Sequence, residues 1–341
     1  MKTPKSLLFL LFLTLISFSG SLFSQDIKDN IPDKSVVERY GYLSVNSTYL
    51  IDENKQPVAL HGVSYGWHNW WPRFYNESTV NWLQKDWGCT VVRAAIGVES
   101  NNGYIENPDF AIQCATKIVD AAIKKGIYVI IDWHSHHIRL PQAKQFFSYM
   151  AGKYKNHPNV IYEIFNEPLD NISWKEVKSY SEEIIQVIRD EDKKNIILIG
   201  SPHWNQDIHL VADNPIKGHT NIMYTLHFYA GTHHYSLRER ADYALSKQLP
   251  IFVSECAAMN ADGDGPLDIK EWKTWLNWMN KNKISWASWS IADKNESSSM
   301  IKKEVSSEGN WKESELVEWG QMVRNHLREY ASSSYKNNIN Q

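Results

Sequence analysis

Eight short runs of apolar, β-branched and aromatic residues alternate with segments of helical period, and this alternation narrows the possible folds more than any other feature of the chain. The runs lie at 59–63, 90–94, 128–132, 160–164, 196–200, 223–227, 251–254 and 284–289. Between them run apolar stripes. One is Ile118, Val119, Ala122 and Ile123, closed by Lys124, Lys125 and a capping Gly126. Others are Tyr180, Ile184, Ile185 and Ile188; Ile269, Trp272, Leu276 and Met279; and Leu316, Trp319, Val323 and Leu327. Strands followed in turn by helices predict a (β/α)8 TIM barrel. An open doubly wound sheet fits less well, because no Gly-x-Gly-x-x-Gly turn follows the first run and polar groups follow nearly every run.

The expected catalytic barrel spans 41–330, opening with a small hairpin at 41–56, and its size suits a chain of 341 residues. Residues 1–24 read as an export signal: Lys2 and Lys5, an apolar run from Leu7 to Phe18, then small residues ending at Ser24. The run is short for a membrane span, so a secreted protein, extracellular or periplasmic and free of the membrane once cleaved, is expected. Residues 25–40 read as a flexible leader and 331–341 as a disordered tail. Removing the signal takes the formal charge from −3 to −5, since it loses two lysines and no acid. With no basic cluster, nucleic acid is excluded as a partner. A monomer is expected. Cys89, Cys114 and Cys256 are too few for a disulfide scaffold and read as small buried residues. Fifteen tryptophans are more than usual; a large core accounts for most of them, and sugar-stacking platforms would account for a few.

The run 160–164 continues into Phe165-Asn166-Glu167-Pro168, and the run 251–254 into Glu255. In a barrel, all strand ends converge on one face, where the chemistry sits. The ends here carry Arg93, Asp132-Trp133-His134, Asn166-Glu167, Trp204, His227 with Tyr229, Glu255 and Trp289. Two carboxylates on one face can cleave a glycosidic bond, one protonating the leaving oxygen while the other attacks the anomeric carbon or activates water. The acid needs a raised pKa, through burial and nearby negative charge, while the nucleophile needs a neighbour such as Arg93 or Tyr229 to keep it ionised. Asn166, beside the acid, suits a sugar 2-hydroxyl. The histidines at 134, 136 and 137 and at 227, 233 and 234 match no zinc spacing, and a glutamate pair needs no metal or other cofactor.

Trp133-His134, Asn166-Glu167-Pro168, the stretch from His227 to His233 and Trp289-Ser290-Ile291-Ala292-Asp293-Lys294 resemble the signatures of glycoside hydrolase family 5, and within it the bacterial endo-β-1,4-glucanases. The resemblance covers 42–327 and includes Asp86-Trp87-Gly88 and Trp204-Asn205-Gln206-Asp207. It implies a retaining hydrolase acting within β-1,4-glucan chains, with Glu167 as acid/base and Glu255 as nucleophile. It further implies that Arg93 and Tyr229 hold the nucleophile, and that His134, Asn166 and His227 line the cleavage subsite. Trp289 would stack under that sugar, Trp70 and Trp204 under neighbouring ones, and Lys294 and Glu296 would hydrogen-bond further along. A cis Trp289–Ser290 peptide is also implied. The family commonly continues Glu-Trp-Gly after the nucleophile strand; Glu255-Cys256-Ala257 here implies a smaller wall. A β-mannanase or other β-glycanase on the same barrel, and a carbohydrate-binding protein without turnover, are the alternatives.

Overall fold

The structure, a computed structural model, describes residues 34–339; the expected signal at 1–24 and most of the leader lie outside the described residues. The described chain opens on helix α1 (Val36–Tyr40), where the sequence reading had placed the end of a flexible leader. The cause is a capping box: the Ser35 hydroxyl accepts from the Glu38 amide, and the Glu38 carboxylate accepts from the Ser35 amide. The hairpin follows as β1 (Ser44–Asn46) and β2 (Tyr49–Ile51), paired antiparallel.

The eight predicted strands all form. They are β3 (His61–Tyr65), β4 (Val91–Gly97), β5 (Tyr128–His134), β6 (Val160–Glu163), β7 (Ile196–Ile199), β8 (Ile222–Tyr229), β9 (Ile251–Ala257) and β10 (Trp286–Ile291). They close into a parallel barrel in the order β10-β3-β4-β5-β6-β7-β8-β9, as the alternation predicts. Several run two or three residues past their predicted ends. His134, Tyr229 and Glu255 therefore stand on rigid strand backbone rather than on loops, as Arg93 does inside its predicted run.

The four predicted stripes lie on helices α3 (Pro108–Lys125), α5 (Trp174–Glu191), α9 (Ile269–Asn282) and, apart from Leu316 just ahead of it, α10 (Glu318–Ile339), while α2 (Glu77–Trp82), α4 (Leu140–Tyr154), α6 (Pro202–Asn205), α7 (Ile208–Asp213) and α8 (Tyr235–Ser246) complete the set. Helix α3 ends at Gly126, whose φ of 64° is the left-handed conformation a side chain would oppose. The stripes face the barrel: Ile118, Val119, Ile184, Ile188, Trp272 and Val323 are fully buried. Most of the tryptophans are core, with Trp87, Trp133, Trp272, Trp275, Trp286, Trp311 and Trp319 almost completely enclosed. Trp272 meets Trp319 edge to face at 4.9 Å, joining α9 to α10.

Helix α10 continues through Ile339, past the point where the sequence reading began a disordered tail; no glycine or proline interrupts 331–339. Asp86 receives two hydrogen bonds from the Arg324 guanidinium and two from Arg328, one of these on its backbone carbonyl, fastening α10 to the turn before β4. Cys89, Cys114 and Cys256 are buried and unpaired, as expected. No helix among the described residues is long and apolar enough to cross a membrane.

Candidate active site

Arg93, on β4, is completely buried and organises the floor of the cleft. Its Nε donates to Glu163 Oε2 at 2.7 Å and its Nη1 to Glu255 Oε2 at 3.0 Å. Its Nη2 donates to Asn166 Oδ1 at 2.6 Å and lies 3.0 Å from Asp132 Oδ2. Burial works against the guanidinium charge, but Asp132, Glu163 and Glu255 outweigh it and hold Arg93 more firmly protonated than usual. One cation thus serves three buried carboxyl groups from β5, β6 and β9.

Glu255 accepts its second hydrogen bond from the Tyr229 hydroxyl at 2.7 Å. Glu167, just beyond β6, lies with Oε1 2.9 Å from His227 Nδ1 and Oε2 3.4 Å from His136 Nε2. One oxygen of Glu167, one of Glu255 and a ring nitrogen of His227 lie within 4.8 Å of one another. This is the one grouping among the described residues whose donor spacing could suit a cation, yet its donor atoms already bind one another, Arg93 and Tyr229. The remaining ring, Trp289, is stacked on His134 at 5.3 Å, and the Trp289–Ser290 peptide is cis, as the resemblance implies.

The charges differ from the sequence expectation. Glu255 is raised, by its burial and by the charge of Glu167. Burial pushes Glu167 upward too, but hydrogen bonds from His136 and His227 overcome it and hold the carboxyl at about 2. His227 shows the reverse: burial lowers it, while Glu163 and Glu167 raise it to about 9. The expectation of a raised acid and a lowered nucleophile is therefore inverted. Its reason is local: the proton that sequence reasoning assigned to Glu167 rests on His227.

Trp70 is 51 % exposed and lies flat on Trp67 at 4.6 Å, and Trp67 in turn stacks on His136 at 5.8 Å. Trp204 is half-buried, its amide donating at 2.9 Å to the carbonyl of Pro168, the residue that follows Glu167. His203, Trp204 and Asn205 all have left-handed φ, between 51° and 62°. Asn205 holds that turn by accepting from the Ser201 amide and donating to Asn166 O. Lys294 and Glu296 pair with each other on the loop after β10, beside a cleft of about 590 Å³ lined also by Asp264, Ser297 and Trp319. Their hydrogen bonds do not join them to the Glu167–Glu255 group. Cys256 is buried, its Sγ donating to Ala287 O at 3.6 Å between β9 and β10.

Sequence reasoning missed Trp67, His136, Glu163 and Ser254. The signal for the last two was present, as a charged or hydroxyl side chain inside an otherwise apolar strand run.

Residues 51–295 match the family described as cellulase (glycosyl hydrolase family 5). Endoglucanase A of Evansella cellulosilytica is 42 % identical over 332 residues, covering 95 % of this chain and 66 % of that protein. Across three such curated relatives the chain spans 58 to 66 % of their length. A structure from Cytophaga hutchinsonii superposes with a TM-score of 0.87 at 44 % identity, covering 89 % of this chain and 100 % of that one. The Thermobifida fusca endoglucanase Cel5A catalytic domain, solved in complex with cellotetraose, gives 0.81 at 32 % identity over 86 % of this chain and 100 % of its own. With its closed barrel, its paired glutamates and a matching stretch that covers most of its length, the chain belongs to the cellulase family, glycosyl hydrolase family 5.

Proposed function

We propose that the protein is a secreted endo-β-1,4-glucanase that hydrolyses internal bonds of cellulose or related β-glucans by retaining double displacement. The observation that carries this reading is the approach of Glu167 and Glu255 oxygens to within 4.8 Å. Carboxyl groups about 5–5.5 Å apart leave no room for a water between nucleophile and sugar, so the carboxylate itself attacks. Glu255 suits the nucleophile, because Arg93 and Tyr229 present hydrogen-bond donors to both its oxygens. Glu167 suits the acid/base, because His227 holds a proton 2.9 Å from its Oε1. In the first step Glu255 bonds to the anomeric carbon while that proton passes through Glu167 to the leaving oxygen. In the second, Glu167 takes a proton from the attacking water and Glu255 departs. Loss of the Glu255 charge in the covalent intermediate removes a like-charge neighbour, which favours an ionised Glu167 at the moment a base is needed.

Two further features support a sugar polymer as substrate. Asn166 Nδ2 is a buried donor without a partner among the described residues, placed for a hydroxyl beside the broken bond. The Trp70–Trp67 stack and Trp289 offer flat apolar faces for sugar rings. The names of the relatives, and cellotetraose in one neighbour, favour glucan over mannan. Export through the signal expected at 1–24 fits a polymer met outside the cell.

Time-resolved NMR of cellopentaose hydrolysis tests the reading. The β-anomer is expected to appear first. The α-anomer first would overturn retention, cleavage of mannopentaose alone would move the substrate, and no cleavage of either would leave a binding protein. Glu167→Gln is expected to lower kcat/KM on cellopentaose by about 10²- to 10⁴-fold while sparing a dinitrophenyl glycoside, whose leaving group needs no proton. Equal losses on both would remove Glu167 from the acid role.

The alkaline limb of kcat/KM follows from the sign of the His227 shift. A pKa raised from 6.5 to about 9 keeps the transferable proton in the site throughout that interval and loses it above. Activity on unactivated substrates is expected to hold through neutrality and fall near pH 9, and the acid limb to lie above the usual glutamate value, since Glu255 is raised. A pH–rate profile falling already below pH 7 on the alkaline side would contradict this.

A further inference from the structure

Behind His227 the structure continues into a buried chain of hydrogen bonds through Ser254 and Glu163 to Arg93. His227 Nε2 lies 2.9 Å from Ser254 Oγ, and Ser254 Oγ donates to Glu163 Oε1 at 2.6 Å. Glu163 is gripped on both oxygens by Arg93, Nε to Oε2 at 2.7 Å and Nη2 to Oε1 at 3.3 Å. Ser254 and Glu163 are both fully buried. A carboxylate in a guanidinium fork is ionised and can only accept. The single hydroxyl proton of Ser254 therefore points to Glu163, leaving a lone pair toward His227. That lone pair demands an N–H on Nε2.

The consequence falls on the other nitrogen. With Nε2 committed as a donor, a neutral His227 has a bare Nδ1, and that atom faces Glu167 Oε1. We propose that Ser254 and Glu163, neither of which faces substrate, are positioning residues that hold His227 in the Nε2–H tautomer, so that Nδ1 and Glu167 share one transferable proton. This rests on the reading of Glu167 as the acid. Were the tautomer free, neutral His227 could place its proton on Nδ1 and donate to an ionised Glu167. The pair would look intact and yet lack the proton the leaving oxygen needs.

The groups facing His227 are Glu163 and Glu167 from the end of β6, Glu255 from β9, Asp132 and His134 from β5, and His233 from the loop after β8. Ser254→Ala leaves all of them in place and removes one oxygen, which makes it the cleaner variant than one at Glu163, where Arg93 would lose its partner.

The test has two independent readouts. Nitrogen-15 NMR of the wild-type imidazoles, taken above the alkaline limb, is expected to show His227 protonated on Nε2 with a bare Nδ1. Ser254→Ala is expected to show a mixture, and Ser254→Thr to restore the single form. In kinetics, Ser254→Ala is expected to move the alkaline limb down by about one pH unit, the loss of one hydrogen bond to a charged group. At pH 8 kcat/KM on cellopentaose then falls about twofold, and at pH 10 about tenfold, while the dinitrophenyl glycoside is unchanged. A wild-type Nδ1–H form, an unmoved limb, or equal losses on both substrates would overturn the proposal. If the wild type cleaves no cello-oligosaccharide, the enzymatic reading fails, and the NMR tautomer still decides the assignment of Ser254 and Glu163.

Discussion

Replacing Glu255 by glutamine is expected to lower kcat on cellopentaose by about four to six orders of magnitude, the scale of loss when a covalent nucleophile is removed from other hydrolases. Binding should survive. The amide has nearly the same shape, its oxygen can still accept from Arg93 or Tyr229, and the aromatic faces that meet the sugar are elsewhere. What is lost is the lone pair that can bond to the anomeric carbon, since amide oxygen is a far weaker nucleophile than carboxylate. Steady-state rates beside calorimetric binding of cellotetraose check both halves. Turnover retained within tenfold would show that Glu255 does not attack; loss of binding together with turnover would show that it shapes the site instead.

Arg93→Met is expected to act on the whole fold. Asp132, Glu163 and Glu255 would be left buried without their shared cation, and breaking such a cluster costs about 3–5 kcal/mol. For a domain of this size that corresponds to a fall in Tm of roughly 10 °C. The loss should depend on pH in a definite sense. Without Arg93 the three carboxyl groups titrate higher in the folded protein than in the unfolded chain, so the folded state binds more protons and the variant loses stability as pH rises. The gap in Tm between wild type and variant should be wide at pH 7.5 and narrow at pH 4.5. A gap of equal size at both would mean that Arg93 contributes packing, with its charge immaterial.

The strands were legible because each is buried on both faces and so reads as an unbroken apolar run, Tyr128 to Ile131 being the clearest. Their far ends were not, since strand pairing continues through residues such as His134 and Glu255 whose polarity looks like a loop. The glutamate pair was legible from its place at two strand ends. The protonation of the pair was not, because it depends on His136 and His227, which lie about thirty and sixty residues from Glu167 and meet it only when the barrel closes. Glu163 and Ser254 stayed hidden for a related reason: a polar residue inside a strand shows its role only when its partner on another strand is known. The helix at Val36–Tyr40 was missed because one short cap, Ser35 with Glu38, outweighs a polar and aperiodic composition.

The floor of the cleft holds two cations, Arg93 and His227, against four carboxyl groups, Asp132, Glu163, Glu167 and Glu255. Burial raises Asp132, and even without its charge the three glutamates outnumber the two cations beneath the sugar. At rest nothing in the neutral substrate relieves this excess of negative charge. As the glycosidic bond stretches, the ring acquires the character of an oxocarbenium ion, and a positive centre then forms directly above that excess. On the proposed mechanism, the same imbalance that Arg93 partly offsets would favour the transition state over the bound sugar, so that the barrel would store its catalytic preference as unneutralised charge.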